Sequence, residues 1–408
     1  MALSCVVIGA SHAAAEFVST LRREGWDGEI TVFGEELYLP YHRPPLSKTF
    51  LLENQTPEDI LIRNSDLYDR LSVNFRLGRQ VSKIDRAKKQ IILGDGVKVS
   101  YDKLAICTGS RVRKLDVNGG EVRGIHYLRT VDDVKSIQAS IKTRGKAIII
   151  GGGYTGLEMA ASLKKIGMEV TLLELSSRLL ERVAASELAE FFARVHGEEG
   201  IEIKCNKSVS SFESTNGRVK AVACSDGSVY DADFVVVGVG ILPNVELAED
   251  AGLRIQNGIV VDQYSRTSDP DIVAAGDCTN HPNELLDCRL RLESVPNAVE
   301  QAKSAAASIC GKKRVYASIP WFWSDQYDLK LQIVGINRGY DEIVLRGDYK
   351  SNRSFVLFYV RQGQLIAADC VNRPKEFMVV KQILSKRLGV DISLLSDESI
   401  PPREFTVR

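Results

Sequence analysis

Paired cysteines are missing from this sequence. Its eight cysteines are spread over positions 5 to 370, and none of them forms a Cys-x-x-Cys motif. A redox-active disulfide, a zinc site and an iron–sulfur cluster each need clustered cysteines, so we predict none of them. Cys278 and His281 are three residues apart, but no second pair accompanies them, and we expect no metal site. We expect reduced thiols, buried or half-buried, and a cytoplasmic location.

A charge imbalance and a long apolar run are also absent. The 53 basic residues equal the 53 acidic ones, so net charge gives no argument for a nucleic-acid or membrane partner. The longest apolar stretches, such as residues 234–242, fall far short of the ~20 residues of a membrane helix. Residues 1–8 run directly into a glycine turn, and we interpret them as a core strand rather than a signal peptide.

Two glycine-rich turns are what the sequence does contain. The second turn reads Gly-Gly-Gly-Tyr-Thr-Gly at residues 151–156. An apolar run precedes it, a helix-forming run follows it, and a second apolar run then ends in Glu174. In this context, glycines let the backbone approach a pyrophosphate at a helix N-terminus, and the carboxylate accepts ribose hydroxyls. We predict a dinucleotide site containing Gly151, Gly153, Gly156 and Glu174.

The first turn reads Gly-Ala-Ser-His-Ala-Ala at residues 9–14, and the apolar run after its helix ends in Glu35 and Glu36. Ser11 and Ala14 stand where the fingerprint has its second and third glycines. Alanine suits the close helix–strand contact, whereas Ser11 either faces a phosphate or caps the helix of a nucleotide-free domain. Two such turns predict two dinucleotides, and chemistry that uses two is usually hydride transfer between a nicotinamide and a flavin.

The order of these patterns predicts an α/β fold with three domains. Apolar strands at residues 104–110 and 234–240 end in glycines and mark the crossings between domains. We expect residues 271–277 to form a strand that rejoins the first sheet. The predicted domains are an FAD-binding domain, an NAD-binding domain and a C-terminal α+β domain, at residues 1–110 with 240–317, 111–239 and 318–408 respectively.

The C-terminal part, residues 318–408, has a different sequence pattern from the two nucleotide-binding parts. Alternating runs predict an antiparallel sheet, and a helix-forming run should cover it. The strands are expected at residues 330–334, 354–360 and 364–371, and the helix at residues 374–388.

Lys48 follows a loop with three prolines and is predicted to start a helix. It is either a solvated surface amine or a cation that stabilises a reduced flavin ring. Glu158, predicted on the first turn of the second nucleotide helix, is a candidate partner, although the helix dipole alone also favours glutamate there. Asp277 is either a cofactor ligand at a strand end or a capping residue. Trp321 and Trp323 are either a core aromatic pair or a shield over a flavin.

Taken together, these segments resemble the FAD-dependent, NADH-using ferredoxin reductases of bacterial oxygenase systems, the putidaredoxin reductase-like family. The proline loop and the tryptophan motif are specific to that family, and the glycine turns are shared by a wider superfamily. The resemblance implies a glutathione-reductase-like architecture and covers nearly the whole chain. The matching stretches are residues 40–48, 107–109, 151–158, 240–244, 275–277, 293–298 and 320–326.

The resemblance implies FAD and NADH as cofactors and a role for each matched residue. Lys48, Glu158 and Trp323 would be catalytic, with Trp323 near the ring and the acceptor route. Asp277 would bind the ribityl chain, and Val295 would lie near the pyrimidine edge. The ADP half of FAD would be held by Gly9, Ser11, Ala14 and Glu35 or Glu36, and the flavin would be lined by Arg43, Pro44 and Lys48. NADH would be bound by Gly153, Glu158 and Glu174. Further cofactor-binding candidates are Thr108, Gly109, Gly151, Gly156, Gly240, Glu293 and Ser294.

Three functions compete. In the first, electrons pass from NADH through FAD to a [2Fe–2S] ferredoxin that feeds a cytochrome P450 or a Rieske oxygenase, and the protein is a monomer or weak dimer. The second is a reductase with a small-molecule acceptor, of the monodehydroascorbate reductase or NADH oxidase type. The third is a flavin-bearing signalling protein resembling apoptosis-inducing factor. Disulfide reductases are set aside because residues 38–50 contain no cysteine. Residues 311–408 hold 16 basic and 11 acidic residues, which favours an acidic protein acceptor.

Overall fold

The structure is a computed structural model that describes residues 3–142, 144–284 and 286–406. The strands, numbered in chain order, are β1 Ser4–Ile8, β2 Glu29–Phe33, β3 Val73–Arg76, β4 Val81–Asp85, β5 Gln90–Leu93, β6 Lys98–Ser100, β7 Lys103–Ile106, β8 Ser110–Val112, β9 Ile125–Tyr127, β10 Lys146–Ile150, β11 Glu169–Leu173, β12 Glu202–Lys204, β13 Val209–Thr215, β14 Arg218–Cys224, β15 Val229–Asp231, β16 Phe234–Val237, β17 Ile241–Pro243, β18 Ile259–Val260, β19 Ile272–Ala274, β20 Thr279–Asn283, β21 Cys288–Leu290, β22 Trp321–Gln326, β23 Leu329–Gly335, β24 Glu342–Gly347, β25 Phe355–Arg361 and β26 Gln364–Val371. The helices are α1 His12–Arg23, α2 Thr49–Leu52, α3 Ser65–Arg70, α4 Val131–Gln138, α5 Tyr154–Lys165, α6 Ser186–Glu198, α7 Glu246–Asp250, α8 Val295–Ile309 and α9 Pro374–Lys386. Short 3-10 helices occur at Pro44–Ser47, Pro57–Ile60, Ile392–Leu394 and Pro402–Glu404.

The chain divides into two compact units. Unit 1 consists of Met1–His42, Gln55–Arg111 and Ile241–Pro320. Unit 2 consists of Arg43–Asn54, Val112–Gly240 and Trp321–Arg408. The finer division into three domains, with boundaries at residues 110, 239 and 317, stays a prediction.

Unit 1 is built on a parallel sheet in the order β19-β7-β1-β2-β3. Strand β1 is apolar and almost wholly buried, as expected for a strand covered on both faces. Strand β19 pairs in parallel with β7, so the chain rejoins the first sheet as predicted. Helices α1 and α8 pack together, and small residues such as Ala302 and Ala305 on α8 allow the close approach.

Unit 2 contains a second parallel sheet, in the order β12-β11-β10-β16-β9. Its central strand β10 is followed by α5, which packs back onto β10 and β11. This strand–helix–strand arrangement was predicted from the second glycine turn. Strands β13, β14 and β15, which follow β12 in the chain, form a separate antiparallel sheet of three strands.

The last part of unit 2 is an antiparallel sheet in the order β22-β23-β26-β25-β24. Helix α9 packs against β26 and β23 through its apolar face, which includes Phe377, Val380 and Ile383. Strand β22 of the same sheet packs against α5. The predicted antiparallel sheet and covering helix are therefore confirmed, although the helix ends at Lys386 rather than at Leu388.

The cysteines follow the prediction with one exception. All eight are free thiols, and seven are buried or half-buried. Cys288 is exposed because it begins β21, a short strand with little side-chain burial. Among the residues that the structure describes, no group of three or more histidine, cysteine, aspartate or glutamate side chains is placed to hold a metal ion. Within the same residues, no helix is long and apolar enough to cross a membrane.

His281 is a buried histidine with an unusual environment in unit 1. It lies in the middle of β20 with 1% of its surface exposed, and its ring meets Tyr316 edge-on at 4.8 Å. Neither ring nitrogen has a hydrogen-bond partner among the described residues. Burial, helped by the nearby Arg289 guanidinium, lowers the pKa of His281 to about 4. The ring is therefore neutral in the folded protein at neutral pH.

This burial predicts a loss of stability in mild acid. The unfolded chain binds a proton at His281 near pH 6.5, whereas the folded chain does so only near pH 4, so the contribution is lost as pH falls through that window. From pH 7 to pH 5 the loss amounts to about 2 kcal/mol. His281→Phe keeps the aromatic contact and removes the titration. Thermal melts at both pH values should show a smaller fall in the variant; an equal fall would contradict the prediction.

Candidate functional site

The first glycine turn, in unit 1, requires a residue without a side chain. Gly9 has φ +103°, and a Cβ there would lie 2.2 Å from the carbonyl oxygen of Cys107. Its N–H donates to the Phe33 carbonyl at 2.8 Å, which joins the ends of β1 and β2. Ala14, on the following helix, is fully buried in the core. Alanine therefore fills the close-contact position, as the sequence indicated.

Ser11 is the residue that immediately precedes α1. Its backbone is extended, at φ −135°, and its side chain makes no capping hydrogen bond to the helix. Ser11 therefore holds the N-cap position of α1 without a side-chain capping bond, and its contact with a phosphate stays a prediction. At the end of the next strand, Glu36 accepts a hydrogen bond from the Tyr41 hydroxyl, while Glu35 is exposed. A ribose-binding role for either glutamate stays a prediction.

The segment around Thr108 and Gly109 is held by Asn244. The Thr108 hydroxyl donates to the Asn244 carbonyl at 2.8 Å, and the Asn244 side chain donates back to the Thr108 carbonyl at 2.9 Å. The Asn244 N–H also donates to the Gly109 carbonyl, at 3.0 Å. These bonds explain why two separate sequence segments of unit 1 form one structure.

Asp277 and the start of α8 are also placed in unit 1. Asp277, half-buried beyond β19, accepts a hydrogen bond from the Ser110 hydroxyl at 2.8 Å. Ser294 caps α8 by accepting from the Asn297 N–H at 3.3 Å, and Val295 is the first helical residue. Glu293 forms an ion pair with Arg291 at 2.5 Å. Ser294 therefore has a structural role whether or not it binds a cofactor.

The second glycine turn, in unit 2, shows the three requirements of the fingerprint separately. Gly151 has φ +104°, and a Cβ there would lie 2.4 Å from the Gly238 carbonyl oxygen. A Cβ at Gly156 would lie 2.0 Å from the Gly151 carbonyl oxygen, so only glycine permits this helix–strand approach. Gly153 has open space around it, because a Cβ there would meet no described atom within 4 Å beyond its chain neighbours. This space lies at the N-terminus of α5, where a pyrophosphate would bind.

Glu174 organises the loop beside this turn. Its Oε2 accepts from the Gly152 N–H at 2.5 Å, and its Oε1 accepts from the Ser176 N–H at 2.7 Å. The neighbouring Arg178 donates to backbone carbonyls, among them that of Ala184 at 3.0 Å. Its guanidinium is thus committed to the protein backbone and carries less weight as a partner for a 2′-phosphate.

Lys48 and Glu158 form an ion pair in unit 2. The Lys48 Nζ lies 2.6 Å from Glu158 Oε2, and the side chains are 18% and 9% exposed. Lys48 directly precedes α2, as predicted. Glu158 is the fifth residue of α5 rather than part of its first turn, because the helix begins at Tyr154. A helix-dipole explanation for Glu158 is therefore wrong, and its burial beside a lysine accounts for the charge instead.

Two serines complete the surroundings of Glu158. The Ser47 hydroxyl donates to Glu158 Oε2 at 2.6 Å, and the Ser324 hydroxyl donates to Oε1 at 2.6 Å. Ser47 is itself held because its carbonyl accepts from the Ser162 hydroxyl at 2.6 Å. Both carboxylate oxygens are thus paired in a buried setting, which fixes the direction of the carboxylate.

An apolar wall lies beside the start of α5. Tyr154 packs on Phe322 of β22 with ring centroids 5.0 Å apart, and burial, with the nearby Asp369, raises the Tyr154 pKa well above its usual value. Burial raises the pKa of Asp369 to about 7, although the Tyr359 hydroxyl donates to it at 2.5 Å. Burial thus disfavours the charged form of both groups.

The remaining candidates of unit 2 lie in the proline loop and on β22. Arg43 donates to the Arg129 carbonyl at 2.5 Å, and Pro44 begins a short 3-10 helix. Trp323 is half-buried, with its ring 5.5 Å from that of Trp321. Gly240 has φ +101° and accepts a backbone hydrogen bond from Arg113 at 2.9 Å. The Trp321–Trp323 pair exists as an aromatic contact; its relation to a flavin stays a prediction.

The structure therefore brings Lys48 and Glu158 together and adds two residues that the sequence reasoning missed. Ser47 adjoins Lys48 in the proline loop, and Ser324 adjoins Trp323 in the tryptophan motif. Their presence inside matched motifs was the available signal, but a serine hydroxyl gives no pattern that reveals its partner. The cofactor-binding roles of the other candidates stay predictions.

Both turns fit the pyrophosphate of a dinucleotide. Each has a glycine that a side chain would force into a backbone carbonyl, Gly9 in unit 1 and Gly151 in unit 2. Each also begins a helix without a side-chain cap, and the N-terminus of a helix suits an anionic group. The residues present thus suit one dinucleotide in each unit.

Comparison with known proteins gives matches along the whole chain. The pyridine nucleotide-disulphide oxidoreductase family model matches residues 3–302, and the reductase C-terminal model matches residues 321–406. The chain is 42% identical over 405 residues to putidaredoxin reductase CamA of Pseudomonas putida, covering 98% of this chain and 96% of that protein. It is 39% identical over 402 residues to a ferredoxin–NAD(P)(+) reductase of Sphingomonas sp., covering 98% and 97%. A chain in the crystal structure of the covalent putidaredoxin reductase–putidaredoxin complex matches with TM-score 0.95 and 42% identity, covering 98% of this chain and 97% of that chain.

These matches confirm the fold class and the resemblance predicted from the sequence. They also establish FAD and NAD(P)H as the cofactors, since the family and the named relatives use both. The chain belongs to the pyridine nucleotide-disulphide oxidoreductase family and is an FAD-dependent oxidoreductase of its ferredoxin reductase branch.

Proposed function

We propose that this protein passes electrons from NADH through FAD to a [2Fe–2S] ferredoxin, which supplies a cytochrome P450 or a Rieske oxygenase. The proposed location is the cytoplasm, in keeping with eight free thiols. Support for a protein acceptor comes from the relatives, which include putidaredoxin reductase and a ferredoxin reductase.

The observation that carries the proposal is the Lys48–Glu158 ion pair. Its Glu158 carboxylate is buried and held at both oxygens, its Lys48 ammonium is half-buried, and Glu158 lies near the second dinucleotide turn. No cysteine is within residues 38–50, so a disulfide relay has no residues here. Hydride transfer moves negative charge onto the acceptor, and a cation fixed near the acceptor by an anionic partner would stabilise that charge.

Bound FAD would supply the chemistry, since a flavin accepts two electrons from a nicotinamide and releases them one at a time. Gly9, Ser11 and Ala14 would admit its pyrophosphate at the N-terminus of α1. Gly151, Gly153 and Gly156 would admit that of NADH at α5. Lys48 would place a positive charge near the isoalloxazine, and Glu158 would hold Lys48 in position and contribute to the nicotinamide site.

We propose the surface around Trp321 as the docking site for the ferredoxin. Trp321 is half-exposed, and the Lys381 ammonium lies 4.4 Å from the centre of its ring. Lys312 and Arg314, which belong to the basic C-terminal stretch of residues 311–408, are paired with Glu24 at 2.9 Å and Glu300 at 3.7 Å. We choose Lys381 as the candidate for attracting an acidic partner, because its ammonium lies on the Trp321 surface itself.

NADH should be preferred over NADPH by at least about tenfold in kcat/KM. The Glu174 carboxylate repels a 2′-phosphate, and Arg178 is occupied by backbone carbonyls. Steady-state kinetics with both nucleotides measures the ratio. Glu174→Gln removes the negative charge and should narrow the ratio, and a wild-type preference for NADPH would refute this assignment.

Lys48→Ala and Glu158→Ala should each slow flavin reduction by NADH by about a hundredfold, because a preorganised charge is lost. Rapid mixing, monitored by flavin absorbance, measures the rate. Lys207→Ala is a matched control, because Lys207 also forms an ion pair in unit 2, with Asp226, and is 19% exposed. If all three variants match the wild type, the Lys48–Glu158 pair has only a structural role.

Reduction of cytochrome c by NADH should depend on added ferredoxin and should weaken as salt rises, because screening shortens electrostatic steering. Lys381→Glu should raise KM for the ferredoxin by about tenfold and leave flavin reduction by NADH unchanged. Lys313→Glu, an exposed position in unit 1, tests whether the effect is local.

Fast turnover with a quinone or with monodehydroascorbate, together with indifference to every ferredoxin tried, would favour the small-molecule alternative. Turnover that is slow with every acceptor, combined with tight partner binding, would favour the signalling alternative.

A further inference from the structure

A row of buried polar side chains leads away from Glu158 in unit 2. On β22, Ser324 and Gln326 alternate with outward residues and so share the face that packs toward α5. The Gln326 amide nitrogen lies 3.1 Å from the Ser324 hydroxyl, and its amide oxygen lies 2.8 Å from His196 Nε2. The Tyr327 hydroxyl lies 3.1 Å from His196 Nδ1. We call this row the donor chain, and its members are Ser324, Gln326, His196 and Tyr327.

The chemistry of each group fixes the direction of the donor chain, starting from Glu158. A carboxylate only accepts, so the Ser324 hydroxyl must donate to it, and Ser324 must then accept from the Gln326 NH2 group. That turns the Gln326 carbonyl toward His196, which must carry its proton on Nε2. A neutral ring then has a bare Nδ1, which accepts from the Tyr327 hydroxyl. All four hydrogen bonds point their donors toward Glu158.

The surroundings of His196 keep this arrangement available at neutral pH. His196 is fully buried, and burial lowers its pKa to about 4, so the ring stays neutral. The nearby charged groups are Glu199 and Arg353, and these pair with each other at 2.9 Å. Arg353 also pairs with Asp328 at 2.6 Å. Arg353 pairs with Glu198 as well, at 3.2 Å, so these charged groups contact one another, while the two ring nitrogens contact Gln326 and Tyr327.

Tyr327 has a backbone conformation that needs an explanation. It lies in the two-residue turn between β22 and β23 with φ +53°, where glycine or asparagine is usual. An aromatic residue in this region is strained. The hydroxyl contact with His196 gives a reason for a tyrosine at this position, since glycine and asparagine have no group that reaches the ring.

We propose that the donor chain positions the Glu158 carboxylate for hydride transfer, by holding Oε1 with an aligned series of hydrogen bonds while Lys48 and Ser47 hold Oε2. Its members are positioning residues, because they act through Glu158. Aligned hydrogen bonds polarise one another, so the last bond, from Ser324, is stronger than an isolated one. This inference rests on the proposed role of the Lys48–Glu158 pair in flavin reduction.

The first test reads the chain without any reaction. The protein has five histidines, so labelling with 15N-histidine and assignment through His196→Gln isolates the His196 ring in an NMR spectrum. The donor chain requires the neutral tautomer with the proton on Nε2. Ser324→Ala removes the acceptor that orients the Gln326 amide, so the amide can turn either its oxygen or its nitrogen toward His196. One hydrogen bond corresponds to a roughly tenfold preference between the two His196 tautomers, and without it both tautomers should appear. The opposite tautomer in the wild type, or an unchanged single tautomer in Ser324→Ala, overturns the proposal.

The second test separates positioning from binding. Ser324→Ala and Gln326→Leu should each slow flavin reduction at saturating NADH by about tenfold, with the dissociation constant for NADH changed less than twofold. Ser324→Thr keeps a hydroxyl and should restore most of the rate. Tyr349→Phe is the matched control, because that hydroxyl contacts Glu190 at 3.4 Å and lies outside the chain. Melting temperatures identify a variant that fails to fold. In that case the flavin-reduction rates of Ser324→Thr and Ser324→Ala are compared, and equal rates contradict the proposal.

The outcomes distinguish this inference from the proposed function. If Glu158→Ala is slow while Ser324→Ala and Gln326→Leu match the wild type, the ion pair acts without the donor chain, and the chain is overturned alone. If Glu158→Ala also matches the wild type, the role of the pair fails and the chain fails with it. Slow reduction in all three variants, unchanged NADH affinity and the mixed tautomer support the chain.

Discussion

A buried carboxylate is tolerated only when a cation or hydrogen-bond donors compensate its charge. Glu158 imposes this constraint on a large part of unit 2. Its two oxygens require an ammonium group and two hydroxyls, which come from the proline loop and from β22. The loop, helix α5 and the antiparallel sheet must therefore meet at one point. Removing any one partner leaves a charged group partly unpaired, which costs more than the pair contributes.

The glycine turns impose a second constraint of a different kind. At Gly9 and Gly151, a carbonyl oxygen occupies the space that a Cβ would need. The close approach fixes how each strand end leads into its following helix. The N-terminus of such a helix suits an anionic group, so packing within the protein favours the two predicted nucleotide sites.

Several titratable groups of unit 2 have pKa values that burial shifts toward the neutral form. Burial raises the pKa of Tyr154 and Asp369 and lowers that of His196, so it disfavours the charged form of each of them. A neutral surrounding strengthens the field of a fixed ion pair, since less competing charge screens it. The uncharged donor chain fits this setting, because it supplies oriented dipoles without adding a net charge.

Much of the architecture followed from the sequence alone. The glycine spacing, the apolar strand runs and the terminal acids predicted two nucleotide-binding sheets, and the alternating runs after residue 320 predicted the antiparallel sheet. These features are local, since strand period, turn chemistry and helix propensity depend on residues near one another in the chain. The Lys48–Glu158 partnership was also a correct sequence hypothesis, because both residues lie in recognisable motifs.

The tertiary structure decided what those residues touch. Ser47 and Ser324 are ordinary serines in the sequence, and they acquire a role only because they are brought to Glu158 from positions 111 and 166 residues away. His196 and Tyr327 likewise have no motif, and one of them accepts backbone strain for a hydroxyl contact. Hydrogen-bond partners depend on where side chains converge in space. The sequence pattern indicates whether a segment forms a helix or a strand, but it does not indicate where two distant segments meet.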